Sequence, residues 1–318
     1  MIWYLFQRLL ALLPTVLVPL VLVFLLIRLA PGDPASIILG DQATQQQIAA
    51  LRHQMGLDQS PIVQFGRFLS DMATLQLGQS SFLQQPVVDV IPSYAAVTIE
   101  ISVLALVWAL VIGIGIGAIA AFRRRHPEGR VAKALGILGI SVPNYFLALV
   151  LIIVFAVAVR WFAVGGYVPP AAGLLPHLQS LMLPSLALGL GEVGFVSRIT
   201  RGSLLDVIGE PFVVTAKSLG LRTSRITTTH IARLAALPLL TVIGLLAASL
   251  ISGSVVIENI FGIPGIGQLM FNAVSNRDYS LIQGIVLFSG TAIIVVNLVV
   301  DILYAVVDPR VQYGAHAR

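Results

Sequence analysis

The sequence contains no cysteine in 318 residues, which excludes a disulfide framework, a thiolate nucleophile and any cysteine-based metal site. Charge is scarce as well. Asp, Glu, Lys and Arg make up 10% of the chain, against about 25% in soluble domains, and that shortfall excludes an ordinary soluble fold. The signatures of several enzyme classes are missing: no GxxxxGK(S/T) to cradle a nucleotide phosphate, no HExxH, no nucleophile elbow. The histidines (His53, His126, His177, His230, His316) are scattered and suggest no metal cluster. What is abundant is apolar: 57% of residues are hydrophobic and the mean hydropathy is +0.95. The chain reads as an all-α polytopic membrane protein, since helices satisfy their own backbone in lipid and no strand period dominates.

Six apolar runs are long enough to cross about 30 Å of hydrocarbon: 9–29, 98–122, 134–159, 183–203, 236–257 and 283–307. The first is longer than a secretory h-region and is followed by a poor cleavage site, so it is expected to stay as a transmembrane helix. With six spans, one side receives Arg8, Arg123, Arg124, Arg125, Arg130, Lys133, Arg198, Arg201, Lys217, Arg222, Arg225, Arg233, Arg310 and Arg318. The other side receives only Arg28, Arg52, Arg67, Arg160 and Arg277. The positive-inside rule then places both termini and the 206–238 segment in the cytoplasm. The net charge of +5 therefore reports topology, and nucleic acid is not an expected partner. The expected division is an N-terminal span (1–30), a small extracytoplasmic lobe with helical pieces at 41–55 and 62–75 (31–96), a transmembrane domain (97–307) and a cytoplasmic tail (308–318).

The run Gly113-Ile-Gly115-Ile-Gly117 lies inside an apolar span, so close helix packing is its expected role, not dinucleotide binding. Ionisable residues in spans carry more meaning because they are costly there. Glu192 falls mid-span, as either a pathway group or an interhelical contact. Asn297, Asp301, Tyr304 and Asp308 form one polar stripe on the last span. Glu258 opens a loop rich in Gly and Pro, Gly262 to Gly267, expected to be tight and well defined.

The segment Asp206–Pro238 carries Lys217, Arg222, Arg225, His230 and Arg233 between two apolar spans, too many cations for lipid. Pro211 suits a first helical turn and Gly220 a helix end. The short helix between them would be a rod of roughly 14 Å. Lys217 would sit in its last turn, where the helix dipole favours a cation. Phe212, Ala216 and Leu219 fall on one face. A short, partly apolar helix in a basic loop reads as a docking element.

Several passages together carry a family resemblance: Arg28-Leu-Ala-Pro-Gly-Asp-Pro34, Gly56-Leu57-Asp58 with Pro61, Thr200-Arg201, Thr215-Ala216-Lys217-Ser218-Leu219-Gly220, Glu258…Phe261…Pro264-Gly265-x-Gly267, Arg277-Asp278-Tyr279 and Asn297…Asp301…Tyr304…Asp308-Pro309-Arg310. The chain resembles the permease subunits of bacterial ABC importers, of the first-permease (dipeptide permease B) type in the dipeptide/oligopeptide/nickel group. The resemblance implies a type I ABC importer transmembrane fold in the inner membrane, with half of a translocation pathway on this chain. It also implies a second permease subunit, two ATPase subunits that hold ATP and Mg, and an extracytoplasmic substrate-binding protein. No cofactor or catalytic residue is implied on this chain. The family's EAA loop, which contains the coupling helix, maps onto the 206–238 segment, with Glu210, Phe212, Thr215, Ala216, Lys217, Leu219 and Gly220 as coupling residues. Its Glu-Ala-Ala positions read Val214-Thr215-Ala216, so Glu210 or Lys217 would replace the missing acid. Glu192, Glu258 and Asp301 are the pathway or gating candidates. Di- or oligopeptides lead as substrate, with nickel or another small solute as the alternative. An ion-coupled secondary transporter and a purely structural or receptor-like membrane subunit are the competing classes.

Overall fold

A computed structural model describes residues 14, 16–26, 36, 43–54, 56, 58–222 and 225–307. Among them the chain is helical, and an isolated antiparallel bridge, Gln79 to Pro86, is the only extended pairing. In order the helices are α1 (Val16–Leu26), α2 (Gln45–Gln54), α3 (Pro61–Ala73), α4 (Val87–Phe122), α5 (Pro127–Ser141), α6 (Asn144–Leu151), α7 (Leu174–Ile208), α8 (Pro211–Ser218), α9 (Ala232–Phe261), α10 (Ile266–Ser275) and α11 (Tyr279–Val307). Wide π turns extend α6 through Ala158 and lead into α9 from Ile226.

Among the described residues four helices are long and apolar enough to cross a membrane: α4, α7, α9 and α11. The expected third span, 134–159, is not one straight helix. It is the pair α5 and α6 with its π turn, bent by 104°. Pro143 is the cause: it forces the preceding residue out of the helical region, and Val142 is extended at φ −95°, ψ 120°. The expected fourth span, 183–203, extends at both ends into the 35-residue α7. Of the expected first span the structure describes α1. The Pro31–Pro34 motif, Asp308-Pro309-Arg310 and the tail lie outside the described residues.

The chain divides into two compact units. One joins residues up to Ala96 with Leu269–Val295; the other joins Val97–Gln268 with the segment from Val296. In the first unit, Phe24 of α1 meets Phe65 edge-on at 4.9 Å and Phe68 at 5.4 Å. A buried carboxylate, Asp278, ties this unit together. It accepts hydrogen bonds from Ser80 Oγ (2.6 Å), the Phe82 amide and the Leu281 amide, and so caps α11. Asp278→Ala is expected to lower the melting midpoint of the purified chain by the equivalent of about 1–2 kcal/mol, the usual worth of such a cap. Asp278→Asn, which keeps an acceptor, should retain most of it.

In the second unit α7 is central. Leu181, Leu183, Ala187 and Leu188 are buried among Ile101 and Ala105 of α4, Ala148 and Leu151 of α6, and Leu250 and Ile257 of α9. Small residues set the helix spacing. A Cβ on Gly113 would lie 2.6 Å from Val196 Cβ, and one on Gly117 2.6 Å from the Ser197 carbonyl, whereas Gly115 faces open space. The glycine run of α4 is therefore a contact surface for α7, as its setting in an apolar span implied.

Candidate functional site

The docking segment is built from local signals. Pro211 opens α8, and Thr215 Oγ1 donates back to the Pro211 carbonyl. At the other end Gly220 adopts φ +74°, and the Leu221 amide returns to the Ala216 carbonyl at 3.2 Å. This is a Schellman closure, which requires a left-handed residue and so favours glycine. Val213, 1% exposed, packs with Ala121 of α4, Leu204 of α7, and Ile226, Ile231 and Ala235 at the entry to α9; Ala216 is half-buried against the same cluster. The outward apolar set consists of Phe212, Val214 (67% exposed) and Leu219 (74% exposed). Thus Phe212 and Leu219 of the sequence strip point away from the bundle, Val214 joins them, and Ala216 belongs to the seat. Glu210 and Thr215 are exposed beside this set. The side chain of Lys217 lies outside the described residues.

At the far end of α9 Glu258 is fully buried. Its carboxylate accepts hydrogen bonds from Thr98 Oγ1 (2.7 Å), the Gly267 amide (2.7 Å) and the Gln268 amide (3.1 Å). Thr98 Oγ1 in turn accepts from the Ile266 amide at 2.8 Å. Together the two side chains satisfy the open N–H groups at the start of α10, which would otherwise be buried without partners. The glycines make this possible. Gly262 terminates α9 at φ +62°, while a Cβ on Gly265 would overlap the Glu258 carboxylate and one on Gly267 the Val255 backbone.

Glu192 lies at the middle of α7, half-buried, and accepts a hydrogen bond from Ser249 Oγ of α9 at 2.7 Å. The bend at Pro143 brings Asn144 to the same level, since a Cβ on Gly191 would lie 3.2 Å from Asn144 Cβ. A polar belt of Glu192, Ser249 and Asn144 therefore lies where a helix is broken. Asn297 is half-buried on α11; the side chains of Asp301 and Tyr304 lie outside the described residues.

A further polar cluster escaped the sequence reading. Tyr167 Oη donates to Glu100 at 3.1 Å, His177 Nε2 lies 3.7 Å from the same carboxylate, and His177 Nδ1 meets the Val168 carbonyl at 2.7 Å. Burial, together with the hydrogen bond to Glu100, holds the Tyr167 phenol above its usual range. The signal was present: Glu100 is an acid inside the apolar run 98–122. Its partners, 67 residues away for Tyr167, could not be found by spacing.

Residues 113–313 match the family described as the binding-protein-dependent transport system inner membrane component, and residues 1–101 match its N-terminal membrane component. The chain belongs to this family. The permease is 40% identical over 300 residues to a putative peptide transport system permease protein of Brucella abortus, covering 94% of this chain and 96% of the relative. It is 36% identical to a probable peptide ABC transporter permease of Sinorhizobium fredii, over 98% of this chain and 99% of that one. It is 38% identical to the glutathione transport system permease protein GsiC of Salmonella paratyphi A, over 98% and 100%. Among solved structures, an inward-facing MetNI methionine ABC transporter superposes with a TM-score of 0.55 at 16% identity, over 70% of this chain and 98% of that chain. The permease accordingly has the transmembrane fold of type I ABC transporters. It is a transport subunit, and in this family ATP is hydrolysed by separate subunits. Membership in an ABC importer family implies ATPase and other partner subunits, and an inner-membrane, multi-pass location.

Proposed function

We propose that this permease forms half of a pathway for di- or oligopeptides, paired with a second permease, two ATPase subunits and an extracytoplasmic substrate-binding protein. The observation that carries the peptide assignment is the likeness, along nearly the whole chain, to relatives named for peptide and glutathione transport. Nickel is disfavoured on the same ground. Both termini and α8 face the cytoplasm in this reading, supported by the cation asymmetry of the sequence. The outward set Phe212, Val214 and Leu219 docks on an ATPase subunit, with Glu210, Thr215 and Lys217 as its polar surround and Ala216 and Gly220 holding the helix in shape. Closure of the ATPases around ATP and Mg displaces α8, and α9 carries the displacement toward the outer turn. Peptide uptake into proteoliposomes of the reconstituted complex should follow ATP and ignore an imposed ion gradient. Uptake driven by the ion gradient without ATP would overturn the assignment.

Of the pathway candidates, Glu192 has the strongest support, because it is open to one side and sits in the polar belt at the helix break. Glu258 is committed to its three donors and serves the pathway only by shaping the outer turn. Asp301 is retained for gating on its place in the last helix, one turn beyond Asn297. Glu192→Gln keeps the Ser249 hydrogen bond and removes the charge. It is expected to lower uptake of a cationic peptide several-fold relative to a neutral one; equal uptake of both by variant and wild type would remove the pathway role.

A further inference from the structure

The antiparallel packing of α5 on α7 leaves a cavity of about 230 Å³ lined by both basic and apolar side chains. Lys133, Arg198 and Arg201 line it. Gly136 meets Ser197, where a Cβ would lie 2.8 Å from the hydroxyl, and Gly139 meets Gly194 one turn further along. That register places Lys133 near the level of Arg201, with Ile137 and Ile140 one and two turns further along the same lining. Both isoleucines are exposed, at 56% and 50%. Among the described residues no ion pair joins these three cations to a carboxylate, in contrast to Arg123, which pairs with Glu128. The buried Nε of Arg201 has no hydrogen-bond partner among them. Arg198 lies over the Phe195 ring at 5.8 Å, which orients the guanidinium without satisfying its N–H groups. Three cations without a carboxylate partner among the described residues repel each other, and the buried Arg201 Nε leaves a donor open, a cost that a bound anion relieves.

The geometry points to a binding site for a phosphate-ester anion, supplied by the headgroup of an anionic membrane phospholipid whose acyl chain runs along Ile137 and Ile140. A free phosphate would use the cations and leave the apolar strip without purpose; a lipid uses both. Basic pockets between transmembrane helices recognise headgroups in this way, and planar guanidinium groups suit phosphate oxygens.

The test uses the full chain purified in mild detergent and titrated with phosphatidylglycerol or phosphatidylcholine, with retained lipid read by native mass spectrometry. Wild type should retain phosphatidylglycerol in clear preference. Lys133→Gln with Arg201→Gln should cut that preference by at least about tenfold, each cation near the surface being worth about fivefold. Arg201→Lys should keep most of it, and Arg124→Gln, in the loop outside the cavity, should keep all of it. Should the double variant fold poorly by its melting curve, Arg198→Gln decides, since Arg198 is exposed and its loss should cost about fivefold. Equal retention of both lipids by wild type, or a preference unchanged in the double variant or, where that folds poorly, in Arg198→Gln, overturns the site. Full displacement of the lipid by millimolar inorganic phosphate overturns the lipid as its occupant.

Discussion

Glu258→Ala is expected to unseat the turn between α9 and α10 and to lower the melting midpoint of the purified permease more than any other single acid-to-alanine change. The substitution leaves the Gly267 and Gln268 amides without their side-chain acceptor and removes the Thr98 hydrogen bond to the carboxylate. Each unsatisfied buried group costs about 1–3 kcal/mol, so the loss should be on the order of 3–5 kcal/mol. The exposed turn should also become a protease site within 262–268. Glu258→Gln is a sharp control. Its oxygen can still face the two amides while its amide group meets Thr98 Oγ1, so its penalty should be about 1 kcal/mol, one hydrogen bond rearranged. An alanine variant that melts with wild type and resists protease would show that the carboxylate does not hold the turn.

The second large effect is expected at the outward face of α8. Leu219→Asp and Val214→Asp place a carboxylate where the side chain is 74% or 67% exposed in this chain. Insertion and melting should therefore be unchanged. In the assembled complex the same carboxylate would have to enter an apolar contact, at a cost of several kcal/mol. Substrate-stimulated ATP hydrolysis should fall by roughly tenfold or more, a loss of about 1.4 kcal/mol of coupling being enough. Ala216→Asp and Gly220→Pro should give the same loss of stimulated hydrolysis by a different route, the first by charging the seat of the helix. The second imposes a φ near −65° where the chain requires +74°. Full transport by Leu219→Asp and Val214→Asp together would remove α8 as the docking element.

These two sites differ in how far they were legible beforehand. The bounds of α8 follow from Pro211 and Gly220, whose backbone preferences are local properties of one residue each. The outward face was read less well, because helical spacing groups Ala216 with Phe212 and Leu219 while the bundle claims Ala216 for its own packing. The break at Val142–Pro143 was hidden by continuous hydropathy across 134–159. Proline alone does not mark a break in such helices: Pro92, Pro184 and Pro238 all lie inside helices that continue through them. Glu258 was visible as an acid beside a glycine-rich loop, but its burial depends on Thr98, 160 residues earlier. Spacing cannot supply such a pairing.

α9 has a mechanical consequence of its own. Its 30 residues make a strut of about 45 Å, running from the cluster that seats α8 to the carboxylate that fixes the turn before α10. Such a strut resists compression along its axis but not rotation about a weak point near one end. Pro238 is that point, because it donates no hydrogen bond to the carbonyl four residues earlier and bending costs least there. A tilt of about 5° about Pro238 would sweep the Glu258 end through about 3 Å over the remaining 20 or so residues of helix. Motion at the elbow would thereby be amplified geometrically, with the change in backbone conformation confined to the turn around Pro238.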